Sequence, residues 1–103
     1  MYMRISWVQV EPGQFSKYLE VFKRVYFSEK MQSVKLCQAH DNPDSVFIVT
    51  LWDSLEMIHE WEASRDYLEN INPKLKPYIL GNYSVSVCEV TYSRSAAQTP
   101  SGD

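Results

Sequence analysis

A largely apolar segment opens the chain, and a second apolar run lies near its middle. Tyr2–Val10 is rich in Ile, Val and Trp, and Ser45–Trp52 contains four consecutive apolar residues. Short apolar runs of this length indicate β-strands, and a continuously apolar strand is covered on both faces. Two further strands are predicted, at Met31–His40 and, after a turn at residues 81–82, at Tyr83–Tyr92.

The segments between these strands have the spacing of helices. From Gln14 to about Ser28, apolar residues recur at steps of three and four, which places them on one helical face. Asp53, with Glu56 three residues later, resembles a capping box and predicts that a second helix begins there. A further helical piece is predicted to start at Ser64 and to end at Pro73, followed by a short connector over residues 74–79.

The resulting order, β-α-β-β-α-β, is that of the ferredoxin-like α+β fold. It predicts a four-stranded antiparallel sheet with both helices on one face, in a single domain over residues 1–92 and a disordered tail over residues 93–103. Strand one nevertheless has apolar residues on both sides, with Ile5 and Trp7 opposite Val8 and Val10. Soluble monomers seldom expose such a face, so we expect a homodimer that packs sheet against sheet.

Composition narrows the possible partners. The 103 residues are 45% hydrophobic, with a net charge of −3 and no basic cluster, so nucleic acid is not an expected partner. No apolar run has transmembrane length, and no signal peptide is visible, so we expect a cytoplasmic protein without membrane contact, whose Cys37 and Cys88 are reduced. His40 and His59 are isolated, so no metal site is predicted.

Aromatic residues concentrate around the second helix. Trp52, Trp61 and Tyr67 fall within sixteen residues, enough flat surface to line a pocket for a flat hydrophobic molecule. The same pattern is typical of a simple aromatic core, and both interpretations stay open. Trp61 and Tyr67 would point apart on a regular helix, so a break at Ser64 is needed to bring them together. Ser6 either hydrogen-bonds a ligand oxygen or is an ordinary sheet residue.

Two segments resemble a known family. Leu51-Trp52-Asp53-Ser54, followed by Glu60-Trp61-Glu62-Ala63-Ser64 and Tyr67, resembles the "W-x-S … W-x-x-S … Y/H" signature of the antibiotic biosynthesis monooxygenases. Val10-Glu11-Pro12-Gly13-Gln14-Phe15 is similar to the entry of that family into its first helix. The resemblance extends over about residues 2–92 and implies the dimeric α+β barrel fold.

The resemblance also implies a function. It suggests a cofactor-independent monooxygenase-like enzyme that acts on an aromatic or polyketide-like metabolite, with Trp61 and Tyr67 as catalytic and pocket residues. The substrate contacts that we expect in addition are Ser6, Met57, Phe22 and Tyr78. Met57 stands where the family has a helical Asn. Ile71 stands where haem-degrading relatives have a ligand His, so no haem is expected. The resemblance implies no other cofactor. The alternative is a non-catalytic dimeric module for small-molecule binding or assembly.

Overall fold

The computed structural model describes residues 1–100, apart from the side chain of Asn82. Four strands form one sheet in the order β2-β3-β1-β4, in which all neighbours are antiparallel. The main elements are β1 (Tyr2–Val10), α1 (Phe15–Arg24), β2 (Met31–Gln38), β3 (Ser45–Trp52), α2 (Leu55–Glu62) and β4 (Ile79–Glu89). Between α2 and β4 lie a π-helical segment (Asp66–Ile71), an α-helical turn (Asn72–Leu75) and a 3-10 turn (Lys76–Tyr78). The predicted ferredoxin-like α+β fold is confirmed.

The core lies between the helices and one face of the sheet. On β1, burial alternates strictly, and Arg4, Ser6, Val8 and Val10 are the buried residues. The facing residues of β3 are buried too, and Trp52 is fully enclosed. Because successive side chains of a strand point to opposite faces, these residues belong to the helix-covered face.

The opposite face of the sheet is apolar and less buried. The register pairs Trp7 with Phe47 and Ile5 with Val49 across β1 and β3. Phe47 is 39% exposed there, although it lies in a central strand. This open face is the apolar surface that the two-sided strand pattern predicts.

Two local predictions are wrong at the helical end of the fold. Ser54, not Asp53, caps α2, because its Oγ accepts a hydrogen bond of 3.2 Å from the Met57 N–H. The Asp53 carboxylate instead accepts a hydrogen bond from the Gln32 side-chain amide. Pro73 does not end the helical region. It lies at the start of a new turn, where a proline is tolerated because the first helical N–H groups have no intrahelical partner.

The predicted turn at residues 81–82 lies inside β4. Trp7 pairs with Ser84 and Gln9 pairs with Leu80, so residues 81–83 of β4 bulge opposite Val8. Gly81 has a φ of 67°, a conformation that glycine adopts without a Cβ clash. The last strand therefore begins at Ile79 and ends at Glu89, rather than running from Tyr83 to Tyr92.

Two other elements are shorter than predicted, and the chain end forms no strand. Helix α1 ends at Arg24 and β2 at Gln38, while residues 90–100 contain no helix or strand, only a turn closed by Gln98 N–H to Ser95 O. The predicted domain boundary at residue 92 and the disorder of the tail stay predictions, and residues 101–103 lie outside the described residues. No helix of the described chain is long and apolar enough to cross a membrane.

Candidate active site

A cavity of about 40 Å³ lies between the sheet and the helical segments that follow α2. Apolar atoms form most of its wall, although seven residues besides Trp61 border it with polar side-chain groups. The polar set is Arg4, Ser6, Tyr18, Thr50, Tyr67, Asn72 and Tyr83. A few polar groups in a mostly apolar concavity are typical of small-molecule sites.

Arg4 brings a positive charge to this cavity from the buried face of β1. Its Nε donates to Glu62 Oε2 at 2.9 Å, and the Arg4 side chain is only 6% exposed while that of Glu62 is 32% exposed. A buried guanidinium is tolerated only when it is paired, and Glu62, at the end of α2, provides the pairing.

Two aromatic rings cover the same guanidinium. The Arg4 Cζ atom lies 5.1 Å from the ring centre of Trp61 and 5.7 Å from that of Tyr67. One terminal nitrogen of Arg4 also donates a long hydrogen bond of 3.4 Å to the Tyr67 hydroxyl. The electron-rich faces of the rings and the cation attract each other, which holds all three side chains at the cavity.

A break in the helix brings Trp61 and Tyr67 together. Ser64 Oγ donates to the Trp61 carbonyl at 2.6 Å and accepts from the Tyr67 N–H at 3.1 Å, so it closes α2 and starts the next segment. The two ring centres are 4.4 Å apart. The predicted break at Ser64 is thus present, and it supplies the rotation that a regular helix of this spacing would lack.

Trp61 separates the cavity from an outer cleft of about 360 Å³. Its ring and that of Phe27 border both spaces. The indole Nε1 donates to the Phe27 carbonyl at 3.0 Å, and the ring also contacts Trp52, with the ring centres 5.4 Å apart. Trp61 is therefore the shared wall of two concavities, held in place by one hydrogen bond.

Burial keeps the Tyr67 hydroxyl protonated. Desolvation, followed by the neighbouring Tyr83 hydroxyl, raises the pKa of Tyr67 to about 12, although the positive charge of Arg4 acts in the opposite direction. At neutral pH, Tyr67 is a hydrogen-bond donor rather than a base.

Tyr18 contributes a second phenol from α1. It is fully buried, and its hydroxyl is a buried polar atom without a hydrogen-bond partner among the described residues. Burial raises its pKa, so this hydroxyl also stays protonated. A buried hydroxyl without a partner is uncommon in folded proteins and calls for an explanation.

The structure brings half of the predicted site residues to the cavity. Ser6, Trp61 and Tyr67 border it. Met57 borders the outer cleft instead.

Phe22 and Tyr78 do not border the cavity either. Phe22 is buried behind the wall, 4.8 Å from the ring centre of Phe27, and Tyr78 packs against the core from the 3-10 turn. The role of each predicted residue in substrate binding or catalysis stays a prediction.

Arg4 and Tyr18 were not among the predicted site residues. The sequence pattern could not place Arg4 on the buried face, because Ile5 and Trp7 make the other side of β1 as apolar as the side of Val8 and Val10.

Metal ligation finds no support in the described residues. Within residues 1–100, no three His, Cys, Asp or Glu side chains lie close enough together to hold an ion. His40 and His59 are both exposed. The expectation that the protein needs no metal or cofactor stays a prediction.

Comparison with solved structures defines the class of fold. A candidate antibiotic biosynthesis monooxygenase from Bordetella bronchiseptica has a TM-score of 0.78 at 14% identity, covering 88% of this chain and 97% of that one. SnoaB, a cofactor-independent oxygenase from Streptomyces nogalater, has a TM-score of 0.74 at 12% identity, covering 89% and 94%. A conserved protein from Methanosarcina mazei has a TM-score of 0.72 at 16% identity, covering 85% and 91%. These structures share the ferredoxin-like α+β fold of this chain.

The family assignment rests on sequence. The family model for antibiotic biosynthesis monooxygenases matches residues 1–72, which include β1, Trp61 and Tyr67. The chain belongs to this family, as the signature around Trp61 predicted. A comparison with curated proteins finds no match.

Proposed function

We propose that the protein is a cofactor-independent monooxygenase of a small, electron-rich phenolic or polyketide-like compound. The observation that carries the proposal is the cluster of Arg4, Trp61 and Tyr67 at a mostly apolar cavity in a member of this family. These side chains supply a cation, a stacking surface and a hydrogen-bond donor, which are the groups that a phenolate requires.

In the proposed reaction, the substrate loses a proton and its carbanion gives one electron to O₂. Recombination and loss of water convert a ring CH₂ and O₂ into a ring carbonyl and H₂O, so no external reductant is needed. Trp61 stacks on the ring, and Arg4 and Tyr67 stabilise the negative charge that develops on the substrate oxygen. Desolvation of Arg4 strengthens this effect, because charges interact more strongly away from water.

The size of the cavity constrains the proposal. A cavity of about 150 Å³ accommodates benzene, whereas this one measures about 40 Å³. The closed cavity holds only a few atoms, so an aromatic substrate requires it to widen. Trp61 borders both the cavity and the outer cleft, and its movement would join the two spaces.

A non-catalytic binding or assembly module is the second candidate function. The small volume of the closed cavity favours it, because a core of tightly packed aromatics needs no substrate. Under this alternative, Trp61 and Tyr67 only stabilise the fold.

Oxygen consumption separates the two candidates. With anthrone as substrate, which carries the ring CH₂ that the reaction requires, we expect uptake of O₂ above the rate without protein. Tyr67→Phe should lower kcat/KM about fivefold, the equivalent of one hydrogen bond of about 1 kcal/mol, with little change in stability. Trp61→Phe should lower it as well, while Tyr92→Phe, an exposed tyrosine outside the sheet, serves as the control.

The outcome that supports the second candidate is equally specific. If no substrate is oxidised, and if Tyr67→Phe and Trp61→Phe shift only the unfolding midpoint, the cluster is a structural core.

We also propose that the chain forms a homodimer through the open face of its sheet. Ile5, Trp7, Phe47 and Val49 support this proposal, since they form an apolar surface on the side away from the core. Covering that surface in a stable dimer requires a total buried area of about 2,000 Å².

A further inference from the structure

The polar groups of the cavity fall into two sets that do not reach each other. Arg4 contacts Glu62 and Tyr67, while the hydroxyl of Tyr18 contacts no donor or acceptor of the described residues. Both sets border the same cavity. A ligand that satisfies both must therefore present polar atoms at two separate positions.

The guanidinium retains hydrogen-bonding capacity for a ligand. Arg carries five N–H donors, and the described residues accept from its Nε and from one terminal nitrogen, the latter over 3.4 Å. Glu62 binds the Nε side only. A planar fork with free donors in a desolvated site binds an oxyanion more strongly than a neutral group.

The Tyr18 hydroxyl destabilises the folded state unless an acceptor forms a hydrogen bond with it. A buried polar group without a partner destabilises the folded state. Phenylalanine would fill the same space without this penalty, so the hydroxyl is useful only when an acceptor occupies the cavity. Tyr18 borders the cavity from α1 and Arg4 borders it from β1, so the two groups offer a ligand contacts from different elements.

We propose that the cavity recognises an aromatic anion at two points: the Arg4 guanidinium binds its oxyanion, and the Tyr18 hydroxyl donates a hydrogen bond to a second oxygen. This inference deepens the proposed function and rests on it, because it assumes that a substrate occupies the cavity. It restricts the substrate class to phenolates or enolates that carry a second oxygen on the opposite side of the ring.

Binding of 4-hydroxyacetophenone tests the proposal on the full chain. Above its own pKa, this probe is a phenolate with a ketone oxygen on the opposite side of the ring. Its electron-poor ring resists oxidation, so calorimetry measures binding without turnover. We expect it to bind at least about tenfold more tightly than acetophenone, which lacks the phenolate oxygen. Equal affinity for the two compounds, or no binding of either, would overturn the proposal.

Three variants assign the two contacts. Tyr18→Phe should weaken binding of the phenolate about threefold to tenfold without lowering the unfolding midpoint. The double variant Arg4→Met/Glu62→Met, which leaves no carboxylate unpaired, should remove the preference over acetophenone. Tyr92→Phe should change neither quantity.

A single substitution keeps the test informative if the double variant does not fold. Glu62→Gln removes the negative charge beside Arg4, which repels an anionic ligand, so phenolate binding should tighten. Unchanged or weaker binding in Glu62→Gln, or an unchanged affinity in Tyr18→Phe, contradicts the two-point model.

Oxygen uptake distinguishes this inference from the proposed function. If the probe binds as expected but no substrate consumes O₂, the two-point recognition stands and the monooxygenase proposal fails. If O₂ is consumed at rates that Tyr18→Phe leaves unchanged, and the phenolate preference is absent, the monooxygenase proposal stands and the two-point recognition fails.

Discussion

Arg4 illustrates how one residue changes character with its surroundings. An arginine in a strand is ordinarily exposed, yet here it is 5% exposed and is surrounded by Glu62, Trp61 and Tyr67. The ion pair and the two aromatic faces offset the loss of hydration. The same contacts turn a surface-type residue into the cation of a candidate site.

Because of Tyr67, the free energy of unfolding decreases as the pH rises through the alkaline range. Its pKa rises from 10.0 in the unfolded chain to about 12, so the folded state retains a proton that the unfolded state has lost. This contribution is fully present below pH 10 and is lost as the pH rises towards 12. Tyr67→Phe should therefore lose less stability than the wild type between these two pH values.

Urea unfolding at several alkaline pH values measures this difference. Tyr92→Phe, whose side chain is exposed, should follow the wild type. Parallel curves for Tyr67→Phe and the wild type would show that Tyr67 is not desolvated.

At the scale of elements, Ser54 and Ser64 organise the helices beside the site. Ser54 satisfies a free N–H group at the start of α2, and Ser64 connects the end of α2 to the π-helical segment. The Asn72 N–H donates to the Tyr67 carbonyl, five residues back, which is the wider spacing of a π-helix. Tyr67 faces Trp61 because the helix is interrupted between them.

The cap of α2 can be tested with two neighbouring substitutions. Ser54→Ala should lower the free energy of unfolding by about 1 kcal/mol, because the Met57 N–H loses its acceptor. Asp53→Ala should lower it by less than about 0.5 kcal/mol, since its bond to Gln32 is exposed. Denaturant unfolding of both variants gives the comparison, and a larger effect at Asp53 would contradict the observed cap.

At the scale of the whole molecule, the two faces of the sheet have different roles. One face supports the core and the cavity, with Val8, Val10 and Val46 buried beneath the helices. The other carries Trp7 and Phe47 as paired neighbours in central strands. A large apolar surface of this kind is typical of an interface.

Disruption of that surface tests the proposed homodimer. Phe47→Glu should convert the protein into a monomer, because a charge would be buried between the two sheets without a partner. Leu68→Glu, at an exposed position of the π-helical segment, should leave the dimer intact. Sedimentation at micromolar concentration should give twice the chain mass for the wild type and Leu68→Glu, and a wild-type monomer would refute the proposal.

The sequence by itself determined the order of elements and the limits of the two central strands. The bounds of β1 and β3 were predicted correctly because each is a short apolar run bounded by turn-forming residues, which is a local signal. Ser64 was identified as a break for a similar reason, since a serine that can accept a backbone N–H is a local signal. The family signature around Trp61 also depends on residues close together in the chain.

Only the tertiary structure decided where the polar residues of the site go. The choice of Ser54 over Asp53 as the cap depends on backbone angles that two adjacent capping residues do not reveal. The bulge at Gly81 arises from pairing with β1, which is distant in sequence. Arg4 joins the cavity because Glu62, 58 residues away, is there to pair with it, and Tyr18 lacks a partner because the surrounding elements bring none. Such contacts are set by packing between elements, and no local pattern encodes them.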